Sequence, residues 1–384
     1  MSDYDAIVCG GSFGGLAAAS QMRGRVLLID RLPIGDGETS ASAVPLACLE
    51  NMDLLDSVEQ VHDEIVVHTK RHSQRMSFFP FCTFDYRRLC TDLFQRTGAE
   101  FLRARITAAG DGVVRTTEGD FEAPVVVDAV GWRTAAGKGR PSRRARAPRR
   151  SFGVESRQPF RGDGLHFYVG PGNGSRRFYW IFPAGDHVRA GLATYTGDSA
   201  LSEDLLRFLG RYEMGEPGHT HGGFFTSRLV DPVRRSMFCV GDAAGQCLPV
   251  SGEGIRPALV FGQVAGRLAE QVRMGRMELP AALAYYRGAV RSHRRGYRIL
   301  DRLQSVLNVL PDPLFEGFAR LIGSERGLPV ASRKYWNVAP PDLLSAGPEP
   351  DLLPPVPGGE ALEGWTSPAA RDASSWASAE TSST

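Results

Sequence analysis

Lysine is nearly absent from this chain. It occurs at positions 70, 138 and 334, so arginine carries almost all of the 45 basic residues. That bias reads as genome composition rather than function. A surplus of either charge is missing too. The 45 basic residues face 43 acidic ones, and the net charge of +2 excludes a strongly basic nucleic-acid binder and an acidic tail protein. The six cysteines, at 9, 48, 82, 90, 239 and 247, form no CxxC pair and no regular spacing. Reduced thiols in a cytoplasmic compartment are the expectation. No apolar run is long enough to cross a bilayer, and the opening Ser-Asp-Tyr-Asp is not a secretory leader pattern. No metal site is expected: His219 and His221 alternate in HTHGG without a third ligand and read as loop residues.

What is present is a globular composition, 42% hydrophobic and 23% charged, over 384 residues. That length suits two domains, or one large domain with insertions. Residues 5–9 (DAIVC) read as a buried strand, 14–22 as a helix and 25–30 (RVLLID) as a second buried strand. Residues 44–60 and 86–97 read as helical, 62–81 as strands, 99–122 as a hairpin or meander and 123–128 (APVVVD) as another buried strand. The arginine-rich stretch 137–150 reads as a solvated loop, because no aromatic platform interleaves it. From 151 to 230, short alternating runs split by Gly, Pro and Asn predict an inserted antiparallel sheet. Helices are expected over 256–273 and about 280–322, and from about 338 the Pro-, Ser- and Ala-rich sequence predicts a disordered tail.

Two glycine-rich turns carry the chemistry. The first, CGGSFGG, sits between a strand and a helix. In the dinucleotide fingerprint Gly10 is the first glycine, Ser12 replaces the second and Gly15 is the third, with Gly11, Phe13 and Gly14 completing the turn. The helix start would present free N–H groups to a pyrophosphate, and Asp30, with Arg31 beside it, would meet ribose hydroxyls at the end of the second strand. The same letters fit the G-x-S-x-G elbow of hydrolases, but nine preceding residues leave no earlier strand to complete an oxyanion hole. The second turn, GDAAGQCLPVSGEGI at 241–255, follows a short strand and runs into an apolar helix.

As a pair these turns resemble a known family. MFCVGDAAGQCLPVSGEGIRPAL resembles the second FAD motif of the geranylgeranyl reductase family, which is similar in fold to aromatic hydroxylases and flavin halogenases. FYWIFPAGDHVRAGLATY at 178–195 resembles that family's aromatic-x-Trp-x-Phe-Pro segment and glycine strand, and VVVDAVG at 125–131 resembles its VVDATG strand. FDYRRL at 84–89 sits at the family's Asp-Arg helix start. Tyr86 there takes the Arg place and leaves Arg87 as a candidate flavin contact.

The resemblance covers most of 3–335. It implies an α/β fold: a Rossmann-like FAD-binding domain (1–60, 84–150 and 231–275), an inserted antiparallel-sheet substrate domain (61–83 and 151–230), C-terminal helices (276–336) and a tail (337–384). Gly241, Asp242 and Ala243 would meet the ribityl and pyrophosphate region, and Pro249 would set a carbonyl near the flavin. Gly252 and Gly254 would run main chain under the ring, and the helix from Ile255 would aim N–H groups at its pyrimidine end. Glu253 reads as a cap or surface contact. Cys48 reads as a buried thiol, and His166 and His187 as core or turn histidines. Trp180, Phe182 and Pro183 are the substrate-side candidates.

The implied activity is reduction of carbon–carbon double bonds in an isoprenoid or polyene substrate by hydride from flavin N5. The alternative is a monooxygenase acting through a flavin C4a-hydroperoxide. A halogenase has less support, because such enzymes need a lysine near the oxidant and Lys70 is the sole early one. From another class, the chain could be a binding protein that keeps FAD as a relic. No second dinucleotide fingerprint appears, so NAD(P)H would bind transiently, or an external flavin or ferredoxin reductant would act as electron-donor partner. The apolar helices within 303–322 are candidates for peripheral membrane contact.

Overall fold

A computed structural model describes residues 3–77, 79–137, 149–169, 177–217 and 220–356. At its base is a six-stranded sheet in the order Val233–Arg234, Met237–Cys239, Val125–Asp128, Ala6–Cys9, Val26–Asp30, Glu100–Arg103. All neighbours are parallel except the first pair. These strands read as unbroken apolar runs because both faces are covered. The helix Phe13–Ala19 and the long helix Ile255–Arg273 pack on one face, and the antiparallel meander Ile106–Gly110, Val113–Thr116, Gly119–Glu122 lies over the other. The two helices approach almost backbone to backbone. A Cβ on Gly262 would lie 2.5 Å from the Gly14 carbonyl oxygen, and one on Gly266 2.1 Å from that of Ala18.

The second layer is a seven-stranded sheet ordered Thr220–Ser227, Arg149–Gln158, His187–Thr194, Arg177–Ala184, Leu165–Tyr168, Ile65–His68, Ser73–Met76. Its outer face is covered by the helix Ser202–Arg211, whose Leu205, Phe208 and Leu209 recur at helical spacing and bury against Tyr179, Ile181 and Val188. That helix interrupts the stretch expected to be purely β. Its inner face looks onto a large cavity, which the helices Arg294–Leu307, Asp312–Ile322 and Gly327–Trp336 close from the far side. Among the described residues, no helix is long and apolar enough to cross a membrane.

Two expectations are corrected. Of the stretch 44–60, α-helix occupies only Leu46–Asn51, with a 3₁₀ turn at Leu55–Ser57. Asp53 turns with positive φ (54°), and Val58–His62 pairs with Phe81–Phe84, so cross-strand packing wins over helix propensity there. The tail expected from about 337 is packed as far as 356. Val338, Ala339, Leu344 and Leu353 are buried, and the segment's carbonyls accept from side chains of the long helix. Gln263 donates to Ser345, Arg267 to Leu343 and Leu352, and Gln271 to Pro350. An irregular, proline-rich segment makes no ladder of its own, so the helix supplies its partners. Residues 357–384, and 138–148 of the basic stretch, lie outside the described residues.

Candidate functional site

A cavity of about 2290 Å³ runs from the first glycine turn, across the inner face of the seven-stranded sheet, to the C-terminal helices. Ordinary small-molecule sites hold roughly 300–1,000 Å³, so there is room for a large cofactor and a substrate together. At one end, Gly10 takes φ 111°, and a Cβ there would sit 2.3 Å from the Ala129 carbonyl oxygen. Asp30 braces the turn, its Oδ2 accepting from Gly11 N at 2.7 Å and its Oδ1 from Leu32 N at 2.9 Å. The helix Phe13–Ala19 starts at Ser12, which makes no side-chain cap, so the first-turn N–H groups have no side-chain acceptor. The Ser12 hydroxyl instead accepts from the Tyr86 hydroxyl at 3.1 Å.

The second glycine turn closes on itself beside the first. Leu248 N donates to the Glu253 carbonyl at 2.8 Å, and Gly252 N to that of Leu248 at 3.1 Å. Gly252 has φ 70°, and a Cβ there would press to 3.3 Å on the Phe178 ring. Ile255 opens the long helix with no side-chain cap from Gly254. Asp242 accepts from Thr226 N at 3.1 Å; burial raises its carboxyl pKa to about 6, against those Thr226 hydrogen bonds.

Of the residues proposed from sequence, Gly10, Gly11, Ser12, Phe13, Gly14, Asp30, Arg31, Gly241, Asp242, Gly252, Gly254 and Ile255 meet on this cavity. Four lie off it. Gly15 packs under the turn, where a Cβ would fall 1.8 Å from the Gly10 carbonyl oxygen. Ala243 is in a small buried cluster, and Pro249 is not part of the wall. Arg87 points to solvent with 69% of its side chain exposed, paired to Asp36 at 2.6 Å. Strand alternation separates the substrate-side candidates: Trp180 and Phe182 line the cavity with Phe178, whereas Pro183 does not, and its carbonyl faces His62 and Thr83. Glu253 is no surface group. It forms a bidentate pair with buried Arg256 at 2.8 Å on both oxygens, accepts from the Tyr335 hydroxyl, and so ties the turn to the carbonyls of 338 and 339. Cys48 is buried off the cavity, and burial pushes its thiol up. His166 bonds His68, and His187 sits by Asp186 and Glu59. His219 lies outside the described residues, and Lys70 pairs with Asp312 at 3.3 Å away from the cavity.

Sequence reasoning missed a polar cluster in the sheet. Register places His221, Glu155, Gly191, Trp180 and Phe167 in one row across five strands. Gly191 has no side chain, so the Trp180 ring packs into the space beside it, and Trp180 Nε1 donates to Glu155 Oε2 at 2.9 Å. The other Glu155 oxygen is 3.0 Å from His221 Nε2 and 3.3 Å from Arg189 NH1. Arg189 is fully buried among Glu155, Glu38 at 2.5 Å and Glu59 at 3.7 Å. Burial lowers the Arg189 pKa, but the three carboxylates overcome it and raise the pKa overall. Desolvation also raises Glu38, which Arg189, Ser42 and Arg157 outweigh to hold it below its usual value. Neighbouring positions on a strand reveal none of this, because the row exists only once register is set.

No family model matches the chain. Two curated relatives are digeranylgeranylglycerophospholipid reductases. That of Methanococcus aeolicus is 33% identical over 104 residues, covering 24% of this chain and 26% of the relative. That of Thermoplasma volcanium is 25% identical over 198 residues, covering 46% and 49%. The chain therefore matches no more than about half the length of these relatives. Among solved structures, a geranylgeranyl bacteriochlorophyll reductase-like protein from Thermoplasma acidophilum superposes with TM-score 0.74 at 18% identity, covering 87% of this chain and 97% of that one. The probable FAD-dependent monooxygenase PqsL from Pseudomonas aeruginosa superposes with TM-score 0.64 at 17% identity, covering 82% and 98%. The sequence matches make this chain similar to geranylgeranyl reductases over part of its length, and it shares its fold with flavoproteins of the reductase-like and monooxygenase kinds.

Proposed function

We propose that the chain is an FAD-dependent reductase of carbon–carbon double bonds in an apolar, isoprenoid-like substrate. The observation that carries this reading is the continuity of the cavity. Bare-backbone turns at one end open directly onto an apolar sheet face at the other. The turns fit FAD: side chains at Gly10 or Gly252 would meet protein within 3.3 Å, and the helix starts at Ser12 and Gly254 carry no side-chain caps. Gly10–Gly14 would hold the pyrophosphate, Asp30 the ribose, Asp242 the ribityl chain, and Gly252–Ile255 the ring edge. When bound and reduced, FAD supplies hydride to an alkene.

The chain's own residues do the rest. Phe178, Trp180, Phe182, Phe167, Leu165 and Ile65 make a flat apolar wall that would align a polyene and exclude water. Exposed Val309 (70%), in the turn after the helix Arg294–Leu307, and Leu314 (61%) and Leu321 (64%), on the helix Asp312–Ile322, lie over the far end. That apolar rim suits entry of a greasy substrate from a membrane surface, a peripheral contact that belongs to this proposal. NAD(P)H or an electron-donor protein would reload the cofactor.

The fold shared with a probable monooxygenase supports one second reading, hydroxylation with oxygen. The test is product analysis of purified, FAD-loaded protein. It would be reduced with dithionite and given a C20 polyprenyl diphosphate without oxygen, then in a parallel run NADPH, a flavin reductase and oxygen. Saturated product in the anaerobic run supports the reductase. Oxygenated product formed only in the aerobic run overturns it.

A further inference from the structure

We propose that His221, positioned by Glu155, is the proton donor of the cavity. The inference rests on the reductase reading and deepens it. Saturating an alkene takes a hydride on one carbon and a proton on the other, and the apolar wall supplies no proton of its own.

The geometry singles out His221. It sits in the cavity wall on Thr220–Ser227, in the same cross-sheet row as Trp180, with Nε2 3.0 Å from the Glu155 carboxylate. Several other proton-bearing groups of the cavity are engaged elsewhere. The hydroxyls of Tyr86, Tyr195 and Tyr335 donate to Ser12, to the Val250 carbonyl and to Glu253. Burial pushes the Cys247 thiol well up and the His293 imidazole down toward its neutral form. The Asp242 carboxyl, raised to about 6 by burial, accepts from Thr226.

For His221, burial favours the neutral ring, but the hydrogen bond and charge of Glu155 and the charge of Glu38 win over it and over Arg189, which opposes protonation. The net result is a pKa above the ordinary 6.5. The charged groups around it are Glu155, Glu38, Arg189, Arg157 and Glu59, and Arg189 holds the carboxylates in place. Trp180 Nε1 donates to the other Glu155 oxygen, so the group that positions the acid also fixes the ring that would lie against the substrate.

The step balances. The alkene gains a hydride, two electrons and one hydrogen, from reduced flavin, which is oxidised. The π pair left on the second carbon takes the His221 proton as the imidazolium N–H bond breaks. The neutral imidazole regains a proton from solvent.

The experiment has two readouts on the full chain. The first needs no turnover: NMR of histidine-labelled, FAD-loaded protein, with the His221 signal assigned by its loss in His221→Gln. A His221 pKa above 6.5 that drops in Glu155→Gln supports the proposal. A ring neutral throughout, or a pKa untouched by Glu155→Gln, overturns it. The second is single-turnover reduction of a C20 polyprenyl diphosphate by dithionite-reduced protein. His221→Gln should lose about 10²-fold or more in rate with KM unchanged, the usual contribution of a positioned acid. The wild-type rate should fall as pH rises through the His221 pKa, and Glu155→Gln should shift that limb to lower pH. Flavin content serves as the folding check for each variant. A wild-type protein that reduces the alkene while His221→Gln stays within twofold, with an unmoved pH profile, refutes the proton donor alone. A flavin-loaded wild type that reduces no alkene refutes the underlying reductase reading as well.

Discussion

Replacing Gly191 with alanine probes the sheet wall where the account is most specific. An added Cβ would lie 2.4 and 2.6 Å from two carbons of the Trp180 indole and 2.6 Å from the Val154 carbonyl oxygen. The indole must lift, and the carbonyl, which belongs to a paired strand, must also shift and strain the ladder. Overpacking of this kind costs about 1–3 kcal/mol. Lifting the ring also breaks the 2.9 Å bond from Trp180 Nε1 to Glu155, a hydrogen bond to a charged group worth about 1.5–3 kcal/mol. The two losses share one movement and do not add fully, so the expected destabilisation is about 2–4 kcal/mol. Chemical denaturation measures it, and near-ultraviolet circular dichroism reports the indole. Gly210→Ala is the control, since nothing lies within 4 Å of a Cβ there and the site is helical; it should be neutral or stabilise by about 0.4–1 kcal/mol. Equal stability of the two variants, with the tryptophan signal of Gly191→Ala unchanged, would refute the close packing of Trp180 on Gly191.

Three further outcomes follow from the same contacts. Arg256→Met removes the buried partner of Glu253 and the donor to the carbonyls of 338 and 339; it should cost about 3–5 kcal/mol and make the segment near 338 an early site of limited proteolysis. His62 is buried against Thr83 and the Pro183 carbonyl, and burial lowers its pKa from 6.5 to about 4. The folded state therefore resists protonation, stability is full above about pH 6.5 and falls by up to roughly 3 kcal/mol as pH drops toward 4. Stability of His62→Gln measured from pH 7 to 4.5 should fall less than wild type, and parallel curves would contradict this. Gly15→Ala forces a Cβ to 1.8 Å from the Gly10 carbonyl oxygen, so the turn must open, and FAD affinity should fall at least tenfold in a protein whose far-ultraviolet spectrum is retained.

The first glycine turn was legible in the sequence because its constraints are local: a strand, a glycine with positive φ and a helix start lie within a few residues. The wall strand Arg177–Ala184 was legible as an element, but alternation sends Pro183 away from Trp180 and Phe182, a distinction a three-residue motif conceals. Glu38, Glu155, Arg189 and His221 could not be grouped, since they come from a loop and three strands whose register depends on long-range pairing. The packed segment 338–356 was misjudged for a related reason. Its composition resembles a tail, while its hydrogen-bond partners, Arg256, Gln263, Arg267 and Gln271, sit on a helix some eighty residues earlier. Arg87 reads as a flavin contact only by its place in a motif; its exposed side chain pairs with Asp36 and does not line the cavity.

The central claim is that the two glycine turns hold one FAD at the head of the cavity. Equilibrium titration of the purified, flavin-stripped chain with FAD, followed by flavin fluorescence and absorbance, tests it most directly. The account predicts saturable binding of one FAD per chain, with spectral shifts from the aromatic wall, that Gly15→Ala and Gly252→Val each weaken at least tenfold. A folded wild-type chain that leaves FAD free in solution, or variants that bind it as tightly as wild type, would contradict it.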